Sequence, residues 1–146
     1  MPIRPENRHL YPADWPAIRK RILERAGNRC ERCLVPNHTM IWRGVFGCDN
    51  VYELVDQPGI LFDADSGWMI AQGFGYSIAN DPGVRMVRVV LTIAHVHDPN
   101  PANVEDDNLA AWCQRCHNRH DMLMRIQNAR TRRRARLAIR DLFPAP

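Results

Sequence analysis

The chain has 146 residues and a formal net charge of +4, with 45% hydrophobic and 25% charged residues, which are the proportions of a globular domain rather than of a disordered chain. It contains no apolar run near the roughly 18 residues of a transmembrane helix, and its first residues, MPIRPENRHL, lack the apolar region of a secretory signal. We therefore expect one cytoplasmic domain with its own core, in a compartment where thiols stay reduced.

Charge is distributed unevenly along the chain. Residues 1–34 carry eight Arg and Lys against four Asp and Glu, residues 35–89 carry three against six, and residues 90–146 carry nine against six. Two basic ends that meet in the fold would form a positive surface suited to a phosphate backbone. Arginines that only solvate helix faces would leave the same pattern.

The N-terminal part of the chain predicts an arm followed by a helix. Residues 1–13 contain three prolines and no periodicity, which is typical of an extended segment. Apolar residues spaced by four then predict a helix over residues 15–26, and Gly27 is a typical stop. This helix, the arm and the first cysteine pair make up residues 1–34.

The rest of the chain predicts mostly short elements. Residues 35–86 mix apolar pieces with Gly, Asp, Asn and Pro, which indicates an inserted region of β-hairpins and loops. The alternation in RMVRVVLTIAH predicts one strand that ends at His95. Residues 98–107 are turn formers and acids, and LAAW after them predicts a second strand. A spacing of three and four then predicts one helix over residues 114–142, ended by Pro144.

Four of the five cysteines form two C-x-x-C pairs, Cys30 with Cys33 and Cys113 with Cys116, separated by 79 residues. Two such turns supply the four thiolates of a tetrahedral structural zinc, which would join the N-terminal helix to the C-terminal unit across the insert. The alternatives are four unconnected core cysteines, a thioredoxin-like pair without its βαβ context, and c-type haem attachment through C-x-x-C-H. Cys48 has no partner at ligand spacing and is expected to be a plain buried or loop thiol.

A second group of polar residues surrounds the second cysteine pair. His95 ends a predicted strand, Asn108 precedes the next, and His117 follows the pair, with Asp121 one helical turn later. The stretch TIAHVHDPNPANVEDDNLAAWCQRCHNRHD, together with WPAIRKRILERAGNRCERC upstream, resembles the zinc-containing HNH, or ββα-metal, endonucleases found widely in phages and bacteria. The resemblance implies an α+β fold: a small ββα-metal domain with a structural zinc bound by four cysteines, an N-terminal helix and a long Arg-rich C-terminal helix.

The resemblance also implies a role for each of these residues. The activity would be metal-dependent hydrolysis of DNA phosphodiester bonds, by nicking or double-strand cleavage, leaving a 5′-phosphate and a 3′-hydroxyl. His95 would be the general base. Asn108 would hold the His95 loop, or the imidazole itself, in place. His117 and Asp121 would bind the catalytic divalent cation, such as Mg²⁺, Mn²⁺, Ni²⁺ or Zn²⁺.

The chain departs from the family pattern at one position. Many HNH sites have an Asp or His directly before the base as another metal ligand, and this chain has Ala94 there. His97 or Asp98 could supply the missing ligand. The alternative interpretation is a degenerate HNH site in a non-catalytic zinc-binding module that binds DNA.

Arginines are concentrated in the predicted C-terminal helix and at its start. Guanidinium groups give bidentate phosphate contacts and release counterions, but such contacts do not read bases. We therefore expect contacts with the DNA backbone from Arg115, Arg119, Arg125, Arg130, Arg132, Arg133, Arg134 and Arg136. The resemblance implies low sequence preference, because in that family the helix of the ββα unit lies along the minor groove. The implied partners are DNA and phage or host DNA-processing proteins, with no membrane. The acidic insert could be a partner surface, a specificity element or packing.

Overall fold

The chain folds as an α+β structure, as predicted. The computed structural model describes residues 5–44, 49–73 and 77–142, so the predictions for Cys48 and Pro144 lie outside the described residues. The helices are α1 (Trp15–Arg25), α2 (Gln114–His120) and α3 (Met122–Leu142), with 3-10 helices at Pro5–Leu10 and Ile78–Asn80. The strands are β1 (Met40–Arg43), β2 (Val51–Leu54), β3 (Ile60–Asp63), β4 (Met69–Gln72), β5 (Arg85–Arg88), β6 (Leu91–His95) and β7 (Leu109–Cys113). Among the described helices, none has both the length and the apolar character needed to cross a membrane.

The N-terminal segment differs from the extended arm predicted for residues 1–13. Its described part includes the 3-10 helix Pro5–Leu10, because proline at a first helical position has a suitable φ and loses no hydrogen bond. The helix predicted over residues 15–26 is confirmed as α1, which buries one apolar face. It stops before Gly27, whose φ of +57° is a conformation that glycine adopts at little cost.

The predicted insert forms most of an antiparallel five-stranded sheet in the order β4-β3-β2-β1-β5. The predicted hairpins are present, and β5 joins them by pairing with β1. Each of these strands has four residues, which is too short for an alternating pattern to be recognised reliably. All four side chains of the edge strand β4 are exposed, whereas β1 lies in the middle of the sheet, between β2 and β5.

The prediction of a single strand over residues 85–95 is wrong, because the chain passes from one sheet to the other in the middle of this segment. Val89 exchanges backbone hydrogen bonds with His38 and Thr39 at 2.9 and 2.8 Å, and the next amide donates to the side chain of Gln114. On one side of this point β5 pairs with β1, and on the other β6 pairs with β7. The alternation of apolar residues continues through the switch, so it gave no sign of it.

The C-terminal part is a strand–loop–strand–helix unit. Strands β6 and β7 pair as an antiparallel hairpin with His95 opposite Leu109, and α2 follows β7 directly. The helix predicted over residues 114–142 is divided at Asp121, but the amide of Asp121 still bonds the carbonyl of His117 at 3.0 Å, so the interruption is confined to one residue. The side chains described on α3 are all exposed, and this helix projects from the body.

One hydrophobic core connects the two parts of the molecule. It combines side chains of α1, β1, β2, β6 and β7 with both C-x-x-C pairs. Its most enclosed apolar side chains are Ile22, Val35, Ile41, Leu91 and Leu109. The sheet and the ββα unit (β6, β7 and α2) therefore stabilise each other by burying a shared apolar surface.

Candidate functional site

The two cysteine pairs meet in the core as one four-cysteine cluster. Cys30, Cys33, Cys113 and Cys116 are each buried to at least 98%, and their sulfurs all lie within 4.8 Å of one another. The sulfurs of Cys33 and Cys113 are 3.7 Å apart. Four thiolates around a tetrahedral zinc would be about 3.8 Å apart, given a Zn–S bond near 2.3 Å. The cluster could therefore hold a metal ion such as zinc, as the sequence predicted.

Hydrogen bonds from the surrounding polypeptide hold the two cysteine pairs next to each other. The amide of Cys113 donates to the sulfur of Cys30 at 3.3 Å. Glu31, inside the first pair, exchanges two bonds with Ala111 of β7: its own amide donates to the Ala111 carbonyl at 2.9 Å, and its carboxylate accepts from the Ala111 amide at 2.6 Å. Arg25 in turn binds the Glu31 carboxylate at 2.9 Å. These contacts join the end of α1 to the hairpin beside the sulfurs.

The hydrogen bonds among the four thiols shift their pKa values in opposite directions. Hydrogen bonds from neighbouring thiols, that of Cys113 first, hold the pKa of Cys30 well below its usual range, and the bond with Cys116 lowers the pKa of Cys113 to about 7. The hydrogen bond with Cys113 raises the pKa of both Cys33 and Cys116. The thiolate is the form of cysteine that binds metal, so a divalent cation would displace the remaining thiol protons and stabilise all four sulfurs as thiolates.

His95 lies at the end of β6 against two aromatic residues. Its imidazole is stacked on the Trp15 indole, with centroids 6.0 Å apart and planes 4° apart, and Tyr11 lies 6.3 Å away. Its Nε2 atom is buried and has no hydrogen-bond partner among the described residues. Burial lowers the pKa of His95. The charge of Asp98 raises this pKa, and the charge of His117 lowers it further, but burial has the largest effect. The lowered pKa favours the neutral form of the imidazole at neutral pH.

Asn108 organises the loop that follows His95. Its side chain is almost fully buried, and its oxygen accepts from the amides of His97 at 3.0 Å and Asp98 at 2.8 Å. Its amide nitrogen donates to the carbonyls of Asp98 at 3.0 Å and Asn103 at 3.2 Å. These four bonds use the full capacity of the amide, and all of them go to the loop backbone. Of the two roles considered for Asn108, the contacts correspond to holding the loop.

Replacing Asn108 by alanine is expected to lower the free energy of unfolding by about 3 kcal/mol, because four backbone groups of the loop lose the partner that this buried side chain provides. Chemical denaturation monitored by circular dichroism would measure the loss. Asn100→Ala is the matched control, since that exposed side chain accepts one bond, from the amide of Ala102, and its removal is expected to cost under about 1 kcal/mol. Equal losses in both variants would contradict the role assigned to Asn108.

His117 is held between a hydroxyl and a carboxylate. Its Nδ1 lies 2.8 Å from the Thr92 hydroxyl, and its Nε2 lies 3.3 Å from a carboxylate oxygen of Asp121. In the tautomer that is protonated at Nδ1, the Thr92 hydroxyl accepts from this atom while it donates to the carbonyl of Trp112, and the lone pair is on Nε2. Burial lowers the pKa of His117, although Asp121 raises it. A neutral imidazole then directs its lone pair at the Asp121 carboxylate, and a cation between the two acceptors would relieve their repulsion.

Neither His97 nor Asp98 joins His117 and Asp121 as a third ligand of a second metal site. Within the described residues, the four cysteines are the only group of three or more His, Cys, Asp or Glu ligand atoms close enough to share an ion. The side chain of His97 is exposed, and the carboxylate of Asp98 accepts from the amide of Asn100 and the side chain of Asn103. His117 and Asp121 therefore remain a pair of potential ligands.

The predicted DNA-contacting arginines fall into two groups. Arg115 donates to the carbonyl of Ala64 at 2.7 Å and to the carboxylate of Asp65 at 2.6 Å, and Arg119 also binds Asp65. These two arginines connect α2 to the inserted sheet and lower the pKa of Asp65. The others lie exposed on α3: Arg125, which also donates to Asn118, and Arg130, Arg132, Arg133, Arg134 and Arg136.

Sequence reasoning overlooked three residues that shape this region: Thr92, Trp15 and Glu31. Thr92 could have been found from the predicted strand, since it lies on β6 opposite Trp112, next to the start of the helix that carries His117. Nothing in the sequence places Trp15 over His95, because the contact joins residues 80 positions apart.

Comparison of the chain with protein-family models, curated proteins and solved structures gives no match. The arrangement of residues is therefore the basis for any functional inference.

Proposed function

We propose that the protein is a metal-dependent endonuclease of the HNH type that hydrolyses DNA phosphodiester bonds. The observation that carries the proposal is the arrangement on β6, β7 and α2: a neutral imidazole, His95, lies at the end of the hairpin, and His117 is oriented by Thr92 toward Asp121. The buried four-cysteine cluster supports it further, because it fixes the start of α2 and so the direction of His117.

In the proposed reaction each side chain has a separate task. His95 takes a proton from a water molecule as that water attacks phosphorus, and its lowered pKa keeps it ready to accept one at neutral pH. Asn108 keeps the loop after His95 in one conformation through its four backbone bonds. His117 and Asp121 would hold a divalent cation, which supplies positive charge for a non-bridging oxygen and for the leaving 3′ oxygen. The products would carry a 5′-phosphate and a 3′-hydroxyl.

The substrate preference follows from charge. Helix α3 presents a row of exposed arginines and carries no acidic residue between Met122 and Leu137, so it suits the continuous negative charge of a nucleic acid backbone. Such contacts position the duplex without reading bases, and we expect low sequence preference and a steep loss of affinity with rising salt.

A non-catalytic zinc-binding DNA-binding module is the second candidate. It is favoured by the incomplete set of metal ligands, since Ala94 supplies none, and by the burial of Nε2 of His95, whose ring is stacked on Trp15. The two candidates separate in a nicking assay on supercoiled plasmid, with Mg²⁺, Mn²⁺, Ni²⁺ or Zn²⁺ added in turn. The proposal requires nicking with at least one cation and none when EDTA holds the free cation. An absence of nicking with every cation, at protein concentrations that bind the plasmid, would favour the non-catalytic module.

Replacing Thr92 by valine is expected to raise the cation concentration needed for half-maximal nicking by about 10-fold to 100-fold, because His117 loses the hydroxyl that orients its ring. The cation dependence of the nicking rate measures this. Thr39→Val is the matched control, since its recorded contact is through its carbonyl, to the amide of Val89. If the two variants need the same cation concentration, His117 does not hold the activating ion.

A further inference from the structure

A cavity of about 630 Å³ lies between the five-stranded sheet and the helices α2 and α3. Arg43 and Arg85 line it from the sheet, Arg115 and Arg119 line it from α2, and Val87 and Met122 provide apolar wall. At 100° per residue, Arg115 and Arg119 project from the side of α2 roughly opposite His117. In the part of the chain that the structure describes, none of the proposed catalytic residues lines this cavity.

The cavity has an excess of positive charge. Arg85 is paired with Asp49 at 3.3 Å, and Arg115 and Arg119 share the single carboxylate of Asp65. With Arg43 there are four guanidinium groups and two carboxylates. Among these arginine and aspartate side chains, positive charges exceed negative ones by two, which suits a phosphate monoester near neutral pH.

Arg43 has buried N–H groups that no described residue accepts from. It is 94% buried, at 6% relative exposure, and its Nε and Nη2 atoms have no hydrogen-bond partner among the described residues. The ring of Tyr52, 5.7 Å from its Cζ atom, offers only a cation–π contact, which does not satisfy the N–H groups. A buried guanidinium without an anion is costly, so an anion bound in the cavity would stabilise Arg43 through its negative charge.

We propose that this cavity binds a phosphate monoester attached to a nucleoside, with Arg43 as the central donor. Guanidinium groups bind phosphate oxygens in a bidentate geometry. The volume exceeds that of a phosphate and falls within the range of small-ligand sites, and the apolar wall of Val87 and Met122 suits the nucleoside part. The ligand is either a free nucleoside monophosphate or the 5′-phosphorylated end of a DNA strand. The test of this site is separate from that of the endonuclease proposal, because the cavity contains none of His95, Asn108, His117 and Asp121.

Isothermal titration of the zinc-loaded full chain with deoxyadenosine 5′-monophosphate tests the proposal. We expect saturable binding, and none with deoxyadenosine, which has no phosphate. Arg43→Met should weaken binding at least 10-fold while leaving the midpoint of thermal unfolding equal or higher, because an unpaired buried charge is removed. Arg88→Met is the matched control: Arg88 lies on β5 but alternates to the face opposite Arg85 and Val87, and its binding should equal that of wild type.

Two further measurements complete the test. If Arg43→Met fails to fold, Arg85→Gln takes its place, since that side chain is largely exposed, and a several-fold loss of affinity is expected. Competition with 5′-phosphorylated and 5′-hydroxyl oligonucleotides identifies the source of the phosphate: displacement by the phosphorylated strand alone indicates a strand end, and displacement by neither indicates the free nucleotide. The proposal is overturned if wild type does not bind the monophosphate, or if the cavity variant that folds binds it as wild type does.

Discussion

Replacing Cys116 by serine is expected to unfold most of the chain, or to leave it without fixed tertiary packing. A structural zinc contributes on the order of 10 kcal/mol to folding, and a domain of this size typically has about 5–15 kcal/mol of total stability. The cluster also brings together residues separated by 79 positions. Closing a loop of that length on folding costs roughly 4 kcal/mol of entropy, which metal binding offsets. Loss of the ion is therefore expected to remove most of the free energy of unfolding.

Elemental analysis and denaturation measure this effect together. Wild type should contain one zinc per chain, and removal of zinc with a chelator should abolish the cooperative unfolding transition seen by circular dichroism. Cys48→Ser is the matched control, because that cysteine belongs to neither C-x-x-C pair, and its variant should retain both zinc and transition. A zinc-free chain that unfolds at the wild-type midpoint would show that the cluster needs no metal.

Replacing His95 by asparagine is expected to reduce the nicking rate by about 10²-fold to 10⁴-fold, which is the usual contribution of a general base. Its imidazole is neutral, and its buried Nε2 has no described partner, so little in the fold depends on a hydrogen bond from this atom. The unfolding free energy should consequently change by less than about 1 kcal/mol, and the cation dependence should stay as in wild type.

The control for His95→Asn uses the same substitution at an exposed histidine. His38 has a φ of +62°, a conformation that asparagine tolerates better than most residues, so His38→Asn should fold and nick as wild type does. Single-turnover nicking at saturating cation separates the chemical step from binding. Wild-type rates in His95→Asn would exclude His95 as the base and would leave the non-catalytic module as the better proposal.

The parts of the fold that the sequence predicted are those whose signals are local. The C-x-x-C pairs, α1 and the strand LAAW each follow from residues within one element, and the four-cysteine cluster required only that the two pairs meet. The sheet could not be predicted in the same way. Its strands have four residues each, and the alternation through Val89 continues across the change from one sheet to the other.

The contacts that connect the sheet to α2 depend on distant pairs. Asp65 meets Arg115 across 50 positions, and a single Asp in a turn gives no sign of its partner. Arg43 is harder still, because an arginine before a glycine suggests an exposed turn, whereas its side chain is buried against Tyr52. Arg115 and Arg119 were predicted to contact DNA because the sequence gives no sign that both pair with the distant Asp65.

The segment that enters the five-stranded sheet and the segment that returns from it to β6 are neighbours, and this has a consequence for protein engineering. His38 and Thr39 on the outgoing segment bond directly to Val89 on the returning one, so the whole sheet is attached through two adjacent segments. A short turn could span that distance, because the ends of the excursion are already neighbours. Such a turn would keep both cysteine pairs, but it would remove the apolar side chains that β1 and β2 contribute to the shared core. It would also remove the arginines of β1 and β5 together with the cavity they line.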